Sequence, residues 1–208
     1  AYHGFDVVLA NRNAPHQGVL SGPIDTLGSI GSLLRRKGIS SIELPVGAAF
    51  HSDLVKAAQA PFEEFLKAVT LSPSTVPVFS NTLAEPYPVD PAAATALLCN
   101  HIHQPVDFVS EVRNMVQSGI RYFIEVGPRN VLSGLVNNIL DGEDFQTLSM
   151  DPSEGRRSGL SDLAHLLCQM AAAGNPVALD RWESAIKKHR KSLMKIPLTG
   201  ANYRTPTA

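Results

Sequence analysis

The 208-residue sequence has few cysteines, few aromatic residues and no excess of charge of either sign. Its only cysteines, Cys99 and Cys168, lie far apart, which favours two free thiols over a fold held by disulfides. The formal net charge is -1. Because a nucleic-acid-binding domain needs a basic face, we expect no nucleic-acid partner.

Long apolar runs are missing as well. No stretch approaches the roughly 20 apolar residues that a bilayer-spanning helix requires. The N-terminal sequence AYHGFDVVLA also lacks the basic region and apolar stretch of a signal peptide. We therefore expect a cytoplasmic protein without a membrane partner. The first residue is not Met, which indicates a piece of a longer protein. What is present, 44% hydrophobic residues, suffices for a packed core.

The first part of the chain has the pattern of a small α+β unit. Short apolar runs predict three strands: FDVVLA (5–10), QGVLSG (17–22) and SSIELPV (40–46). NRNAP (11–15) is predicted to be a turn between the first two strands. Apolar residues at helical spacing predict a helix that Asp25 caps and Gly38 ends.

After this unit, strands and helices alternate, which indicates a parallel α/β sheet. The predicted strands are TVPVFSN (75–81), RYFIEVG (121–127) and FQTLSM (145–150), of which RYFIEVG is the clearest buried strand. The predicted helices cover 54–69 with a break at Pro61, 91–103, 106–118 and 131–140. DPSEGRRSG (151–159) has the composition of a linker, and an apolar helix is predicted over 160–173. A basic stretch and an extended tail follow Trp182.

One histidine is a candidate base. In GAAFHSDLV (47–55), His51 lies between a predicted strand and a predicted helix. A lone His at such a junction is more often structural than catalytic. To act as a base it needs a nucleophile within hydrogen-bond reach and a group that orients its second nitrogen. A backbone carbonyl or the amide of Asn81 could orient it.

The sequence offers no convincing nucleophile for this base. The serine elbow G-x-S-x-G is absent, and the nearest match, Gly159-Leu160-Ser161-Asp162-Leu163, lacks the second Gly and a preceding strand. Cys99 lies in a predicted helix, where a buried structural role is favoured. His101 and His103 point to different sides of a helix without an acidic cluster nearby, so we expect no metal site.

Five segments occur together in the order and at about the spacing of a known family: NRNAPHQGVLSG, AAFHSDLV, VPVFSN, HQPVDF and YFIEVGPRNVLSGL. The chain resembles the malonyl-CoA:acyl carrier protein transacylases, which include the acyltransferase domains of polyketide and fatty acid synthases. The resemblance covers roughly residues 5–150, and AFHS and EVGPxxVL are its most specific parts. Residues 151–182 are similar to the linker that follows such a domain, and the tail IPLTGANY looks more like polyunsaturated fatty acid synthase subunits than modular polyketide synthases.

The resemblance implies an α/β fold in three parts. Residues 1–46 would form a ferredoxin-like small subdomain, and residues 47–150 the C-terminal part of an α/β-hydrolase-like parallel-sheet core. Residues 151–208 would form a helical and extended post-acyltransferase linker.

The resemblance also implies a mechanism. In this family an elbow Ser takes the malonyl group from coenzyme A, a His deprotonates that Ser, and the phosphopantetheine thiol of an acyl carrier protein then attacks the acyl-enzyme. His51 matches the base, which backbone carbonyls orient in this family. Asn81 and Gln104 match positions near the active site and are expected to bind substrate. Phe50 precedes the His as in malonyl-selective members, although Ala48 departs from the commonest pattern. No bound cofactor is implied beyond the coenzyme A thioester substrate and the carrier protein's phosphopantetheine.

The family's Gly-His-Ser-x-Gly segment, oxyanion-hole Gln and carboxylate-binding Arg would precede residues 5–22 and are not in this sequence. The resemblance therefore implies half an enzyme, inactive alone. Its expected partners are malonyl-CoA, an acyl carrier protein, the missing N-terminal half and the adjacent synthase domains. Two alternatives stay open. In the first, the chain is a non-catalytic interaction module that docks neighbouring synthase domains or a carrier protein. In the second, it is an independent hydrolase that uses Ser161 or Cys99.

Overall fold

The computed structural model describes residues 5–179 and Arg181. The chain divides into two compact units, with the boundary between Leu163 and Ala164. The basic stretch and extended tail that the sequence predicts after Trp182 lie outside the described residues. Within the described part of the chain, every helix is too short or too polar to cross a membrane.

The described residues form mixed α/β structure, as the sequence predicts. The strands are β1 (Val8–Ala14), β2 (Gln17–Ser21), β3 (Val106–Asp107), β4 (Tyr122–Pro128) and β5 (Gln146–Asp151). The α-helices are α1 (Ile24–Arg36), α2 (Gln59–Leu66), α3 (Pro91–His101), α4 (Phe108–Gln117), α5 (Val131–Ile139) and α6 (Gly159–Ala172). A short 3₁₀ helix, Asp53–Ala58, leads directly into α2.

The predicted helices are confirmed to within a few residues, but Asp25 and Pro61 have other roles at the helix starts than the sequence predicts. Helix α1 follows Pro23 without a side-chain cap, so Asp25 lies in the first turn rather than at the cap. Gly38 ends α1 with a φ of 73°, a conformation that glycine adopts without strain. Pro61 lies in the first turn of α2, where its missing N–H breaks no helical hydrogen bond. The 3₁₀ helix therefore gives way to α2 at Gln59, and no break occurs at Pro61.

The first sheet has three strands in the order β2-β1-β3. β1 pairs antiparallel with β2, and Asn11 and Arg12 pair in parallel with β3 on its other side. The predicted turn at NRNAP is therefore wrong, because its first four residues belong to β1 and only Pro15 and His16 turn the chain. Pro15 ends the strand since it has no N–H to donate, whereas Asn11 and Arg12 have strand partners on both sides.

Two predicted strands are wrong. Residues 40–46 have no regular structure, and their apolar side chains Ile42, Leu44 and Val46 are exposed. In the segment 75–81, strand pairing is limited to a single bridge from Phe79 to Pro86. A strand is stabilised by its neighbours, and among the described residues neither segment lies in a sheet.

The buried core of the first unit lies between β1, α4 and α5. Its fully buried members come from these three elements and the residue that follows α5: Ala14, Val109, Val112, Val136, Ile139 and Leu140. Partly buried Phe108, Phe123 and Phe145 pack around them. Because β1 joins this core and pairs with β3, the N-terminal strands contact elements that lie far along the chain. The three-part division at residues 46 and 150 stays a prediction.

The second sheet is the parallel pair of β4 and β5, which α5 connects. The pair confirms the predicted βαβ order, but the prediction that RYFIEVG is a buried strand is wrong. Phe123 packs on the core, whereas Ile124 is 39% and Val126 77% exposed. Met150 on β5 is 36% exposed. We call Ile124, Val126 and Met150 the open face, because alternation puts them on one side of the sheet, where their neighbour Leu148 is buried.

Candidate active site

His51 lies in the irregular segment just before the 3₁₀ helix, in an uncommon backbone conformation. Its φ is 58°, in the left-handed region that few residues other than glycine enter. The His51 N–H donates to the carbonyl of Ile102 at 3.3 Å. Backbone strain of this kind persists only where surrounding contacts impose it, and it occurs preferentially at functional sites.

The His51 ring is held by two backbone carbonyls. Its Nδ1 lies 3.2 Å from the oxygen of His101 and 3.1 Å from the oxygen of Gln104. Because a carbonyl only accepts hydrogen bonds, Nδ1 carries the proton in the neutral ring. Nε2 is then the unprotonated nitrogen, and this tautomer is the one that a general base requires.

The last residue of α3 and the turn that follows it supply these carbonyls. Asp90 caps the start of α3 through the Ala93 N–H at 2.8 Å. The helix ends at His101, shortly before Pro105. The last carbonyls of a helix have no helical partner and carry the negative end of the helix dipole. The His101 carbonyl that contacts the His51 ring lies at this end.

Two further histidines lie beside His51. The His101 ring centroid is 5.4 Å from that of His51, and the rings are tilted by 35°. Burial, together with the neighbouring His51, lowers the pKa of His101, so this ring stays neutral at pH 7. His103 is buried, with Nδ1 3.8 Å from an Asp53 carboxylate oxygen. No group of three or more ligating side chains with the arrangement of a metal site occurs in the part of the chain that the structure describes.

The predicted substrate-binding residues occupy different positions around His51. Gln104 contributes its backbone carbonyl to the ring, and its side-chain nitrogen lies 3.4 Å from Nδ1 of His103. Asn81 accepts a hydrogen bond on its backbone oxygen from the Asp107 N–H at 2.8 Å. Phe50, next to His51 in the sequence, is 53% exposed. Their roles in substrate binding stay predictions.

Of the two side chains considered as nucleophiles, Cys99 lacks the features of an activated one. Cys99 is buried in α3, and burial followed by the charge of Glu63 raises the pKa of its thiol. A raised pKa keeps the thiol protonated and unreactive. Ser161 lies in the first turn of α6, where its hydroxyl is 2.9 Å from that of Ser158. The raised pKa of the thiol disfavours an independent hydrolase that uses Cys99.

Sequence reasoning missed Glu111, a buried carboxyl close to this site. Glu111 on α4 is only 4% exposed, and burial followed by the charge of Asp107 raises its pKa to about 7. When the Asn81 amide nitrogen faces Glu111, it donates to the two carboxylate oxygens at 3.1 and 2.8 Å. The sequence signal was available, because Glu111 lies between Val109 and Val112 on the apolar face of its helix.

Glu125 on β4 binds the start of α5. Its carboxylate accepts hydrogen bonds from the N–H of Leu132 at 3.1 Å, and from the N–H and hydroxyl of Ser133 at 2.8 Å each. Partial burial raises the pKa of Glu125, but these hydrogen bonds outweigh it and lower the pKa overall. The carboxylate occupies the positive end of the helix dipole, where an anion is stabilised.

We expect Glu125→Gln to lower the free energy of unfolding at pH 7 by about 0.5–1 kcal/mol. Since folding lowers the pKa of Glu125, its contribution is present above the ordinary glutamate pKa of about 4.3 and is lost as the pH falls through the lower folded value. Urea unfolding at pH 7 and at about pH 3 should show the variant's deficit shrinking in acid. Exposed Glu143→Gln is the control, and equal deficits at both pH values would contradict this role.

Known proteins resemble this chain in sequence. No family model matches it. Over 140 residues it is 39% identical to PksC, a polyketide biosynthesis malonyl CoA-acyl carrier protein transacylase of Bacillus subtilis, and the match covers 66% of this chain and 48% of that protein. It is also 33% identical to a polyunsaturated fatty acid synthase polypeptide of a Thraustochytrium species, across 95% of this chain and 7% of that polypeptide. This chain is a homologue of the malonyl-CoA:acyl carrier protein transacylases.

Solved transacylase structures agree with this homology. The malonyl CoA-acyl carrier protein transacylase of Clostridium perfringens is 29% identical, with a TM-score of 0.70 over 82% of this chain and 52% of that chain. The acyltransferase domain from the second module of the salinomycin polyketide synthase has a TM-score of 0.76 at 24% identity, and it supports the fold alone. The chain thus spans about half the length of the transacylases it matches. The predicted resemblance to this family is confirmed.

Proposed function

We propose that this chain is part of an acyltransferase that moves a malonyl group from coenzyme A to the phosphopantetheine thiol of an acyl carrier protein. His51 is the general base, and the nucleophilic Ser belongs to a segment outside this sequence. The observation that carries the proposal is the pair of carbonyls 3.1 and 3.2 Å from His51 Nδ1, which leaves Nε2 as the basic nitrogen. Transacylase homologues support the choice of reaction.

The geometry suits both halves of such a transfer. Nε2 of His51 takes the proton of the Ser hydroxyl as its oxygen attacks the thioester carbonyl, and the imidazolium returns that proton to the departing coenzyme A thiolate. In the second half Nε2 takes the proton of the phosphopantetheine thiol, whose sulfur attacks the acyl-Ser, and the Ser oxygen leaves with that proton. The carbonyls of His101 and Gln104 hold the ring in the same orientation in each half.

Phe50 supports malonyl as the transferred group. Its ring is adjacent to the base in sequence and 53% exposed, so it is available to line a pocket that another segment completes. A bulky ring beside the acyl site leaves little room for a methyl branch on the substrate. One methyl group in such a pocket is worth about 1–3 kcal/mol of discrimination. Asn81 and Gln104 belong to the same site in this proposal, and no bound cofactor takes part.

The open face supports the proposal that a further polypeptide segment completes the domain. Parallel sheets are normally covered on both faces and contain more than two strands. Here β4 and β5 form a two-stranded parallel sheet, with Val126 77% exposed on its open face. We propose that the missing N-terminal half of the acyltransferase covers this face, and that the chain alone is inactive.

Intact-mass spectrometry after incubation with malonyl-CoA tests the proposal. A second chain that carries the Gly-His-Ser-x-Gly segment, called the complement below, is supplied or omitted. We expect the malonyl mass only with the complement present and only on the complement. With equal methylmalonyl-CoA added, malonyl should be preferred by about 10-fold or more. A malonyl adduct on this chain alone would overturn the assignment of the nucleophile to another segment. Carrier-protein binding without any transfer would favour the interaction module.

A further inference from the structure

Glu111 is buried in a place where a carboxyl group is costly. Its residue is 4% exposed, and it lies on α4 between core residues Val109 and Val112. A buried carboxyl destabilises a fold unless hydrogen bonds satisfy it. The charge of Asp107, which precedes α4, acts on Glu111, and Asp107 itself pairs with Arg12 of β1 at 3.4 Å. Nothing in the mechanism proposed above uses this carboxyl.

Asn81 is the group that satisfies Glu111. Its amide nitrogen reaches the two carboxylate oxygens at 3.1 and 2.8 Å, and in the opposite orientation the amide oxygen would face only acceptors. The same residue accepts the Asp107 N–H on its backbone oxygen at 2.8 Å. Asn81 therefore links the buried face of α4, through its side-chain amide, to β3, through its backbone oxygen.

The segment that Asn81 holds leads directly to His51. Gln104 comes two residues before β3, and Pro105 between them restricts the backbone on both sides. The carbonyl of Gln104 accepts from Nδ1 of His51 at 3.1 Å. The position of this carbonyl, one of the two that fix the tautomer of His51, depends on how firmly the start of β3 is held.

We propose that Glu111 is a positioning residue for His51 and acts through Asn81 and the Gln104–Asp107 segment. The catalytic importance of this positioning rests on the proposed function. The effect of Glu111 on the His51 ring can be tested without it. In this arrangement the Asn81 side chain donates hydrogen bonds to Glu111. Asn81 contributes to the site by fixing the backbone position of the Gln104–Asp107 segment.

Nuclear magnetic resonance of the histidine side-chain nitrogens tests the proposal on the whole chain without substrate. The two ring nitrogens of one fixed neutral tautomer resonate far apart, and their shifts converge when both tautomers are populated. His51→Asn assigns the His51 signals. We expect Glu111→Leu to reduce the separation of these signals to about half or less, and Asn81→Ala to do the same.

Glu111→Gln should restore the wild-type separation. Its amide oxygen can still accept from Asn81, and the neutral side chain resembles the protonated form that a pKa of about 7 makes common. Asn114→Ala is the matched control, because Asn114 binds the same loop from the same helix through the Ala84 carbonyl at 2.9 Å. We expect that variant to leave the His51 signals unchanged.

Each outcome decides the question. Wild-type His51 signals in both Glu111→Leu and Asn81→Ala would overturn the proposal. So would an equal change in Asn114→Ala, since loss of general loop packing would then explain the effect. If Glu111→Leu does not fold, the Asn81→Ala and Glu111→Gln spectra still distinguish the two explanations. A confirmed change in His51 without any malonyl transfer would leave the positioning role standing and reject the proposed function.

Discussion

Replacing His51 by asparagine is expected to lower malonyl transfer in the complemented domain by about 10²–10⁴-fold, the usual contribution of a general base. Asparagine is the suitable replacement because His51 has a φ of 58°, and asparagine tolerates the left-handed conformation better than alanine does. The fold should therefore survive while the basic nitrogen is lost. The rate of transfer to the carrier protein, measured by intact mass against time, checks the expectation.

His16→Asn is the matched control for this experiment. His16 is exposed in the turn between β1 and β2, so the same substitution there should leave the transfer rate unchanged. An unfolded His51→Asn variant would show itself in the circular dichroism spectrum. A folded variant that retains wild-type transfer would reject His51 as the base. Carrier-protein binding that survives His51→Asn, in a wild-type chain that transfers nothing, would favour the interaction module.

Val126→Lys is expected to weaken two associations by about 10–100-fold, the effect of removing an interface hot spot. These are the self-association of the chain alone and its binding to the complement. Val126 is 77% exposed on the open face, so a charge there costs the isolated chain little. On assembly the same charge would be buried against apolar surface without a partner. Sedimentation velocity over a concentration series measures both associations.

Val89→Lys provides a control with equal exposure. Val89 is also 77% exposed, but it lies in the loop before α3 and away from the open face. We expect Val89→Lys to associate like the wild-type chain. A wild-type chain that remains monomeric at high concentration and does not bind the complement would contradict the proposed role of the open face. Equal losses in both variants would indicate a nonspecific effect of added charge.

The sequence correctly predicted the helices and the βαβ unit, because the residues that determine them lie within or next to each element. Helix α3 begins after Asp90 with Pro91, and α1 ends at Gly38, so their bounds follow from capping chemistry and backbone conformation. The order of β4, α5 and β5 follows from alternating patterns. The resemblance pointed to His51 as the base, and its prediction of backbone carbonyls as orienting groups agrees with the contacts at Nδ1.

Elements that depend on distant partners were not predictable. The segment 40–46 has apolar β-branched residues, yet it lies in no sheet of the described residues. NRNA has turn composition, yet it forms the central strand of a sheet because β2 and β3 flank it. The pairing of Asn81 with Glu111 joins residues whose proximity no local pattern encodes. In each case the outcome depends on the presence or absence of tertiary partners rather than on local preference.

The pairing of β1 with β3 has a consequence for the order of events during synthesis. Arg12 and Asp107 are 95 positions apart in the chain, yet they face each other across this pair. A ribosome that has reached residue 100 of this sequence has made the hairpin but neither β3 nor the helices that bury Ala14. Contacts of such large sequence separation slow folding. The nascent hairpin therefore lacks β3 and the core helices until α4 and α5 emerge. During that interval it exposes apolar surface of the kind that chaperones bind.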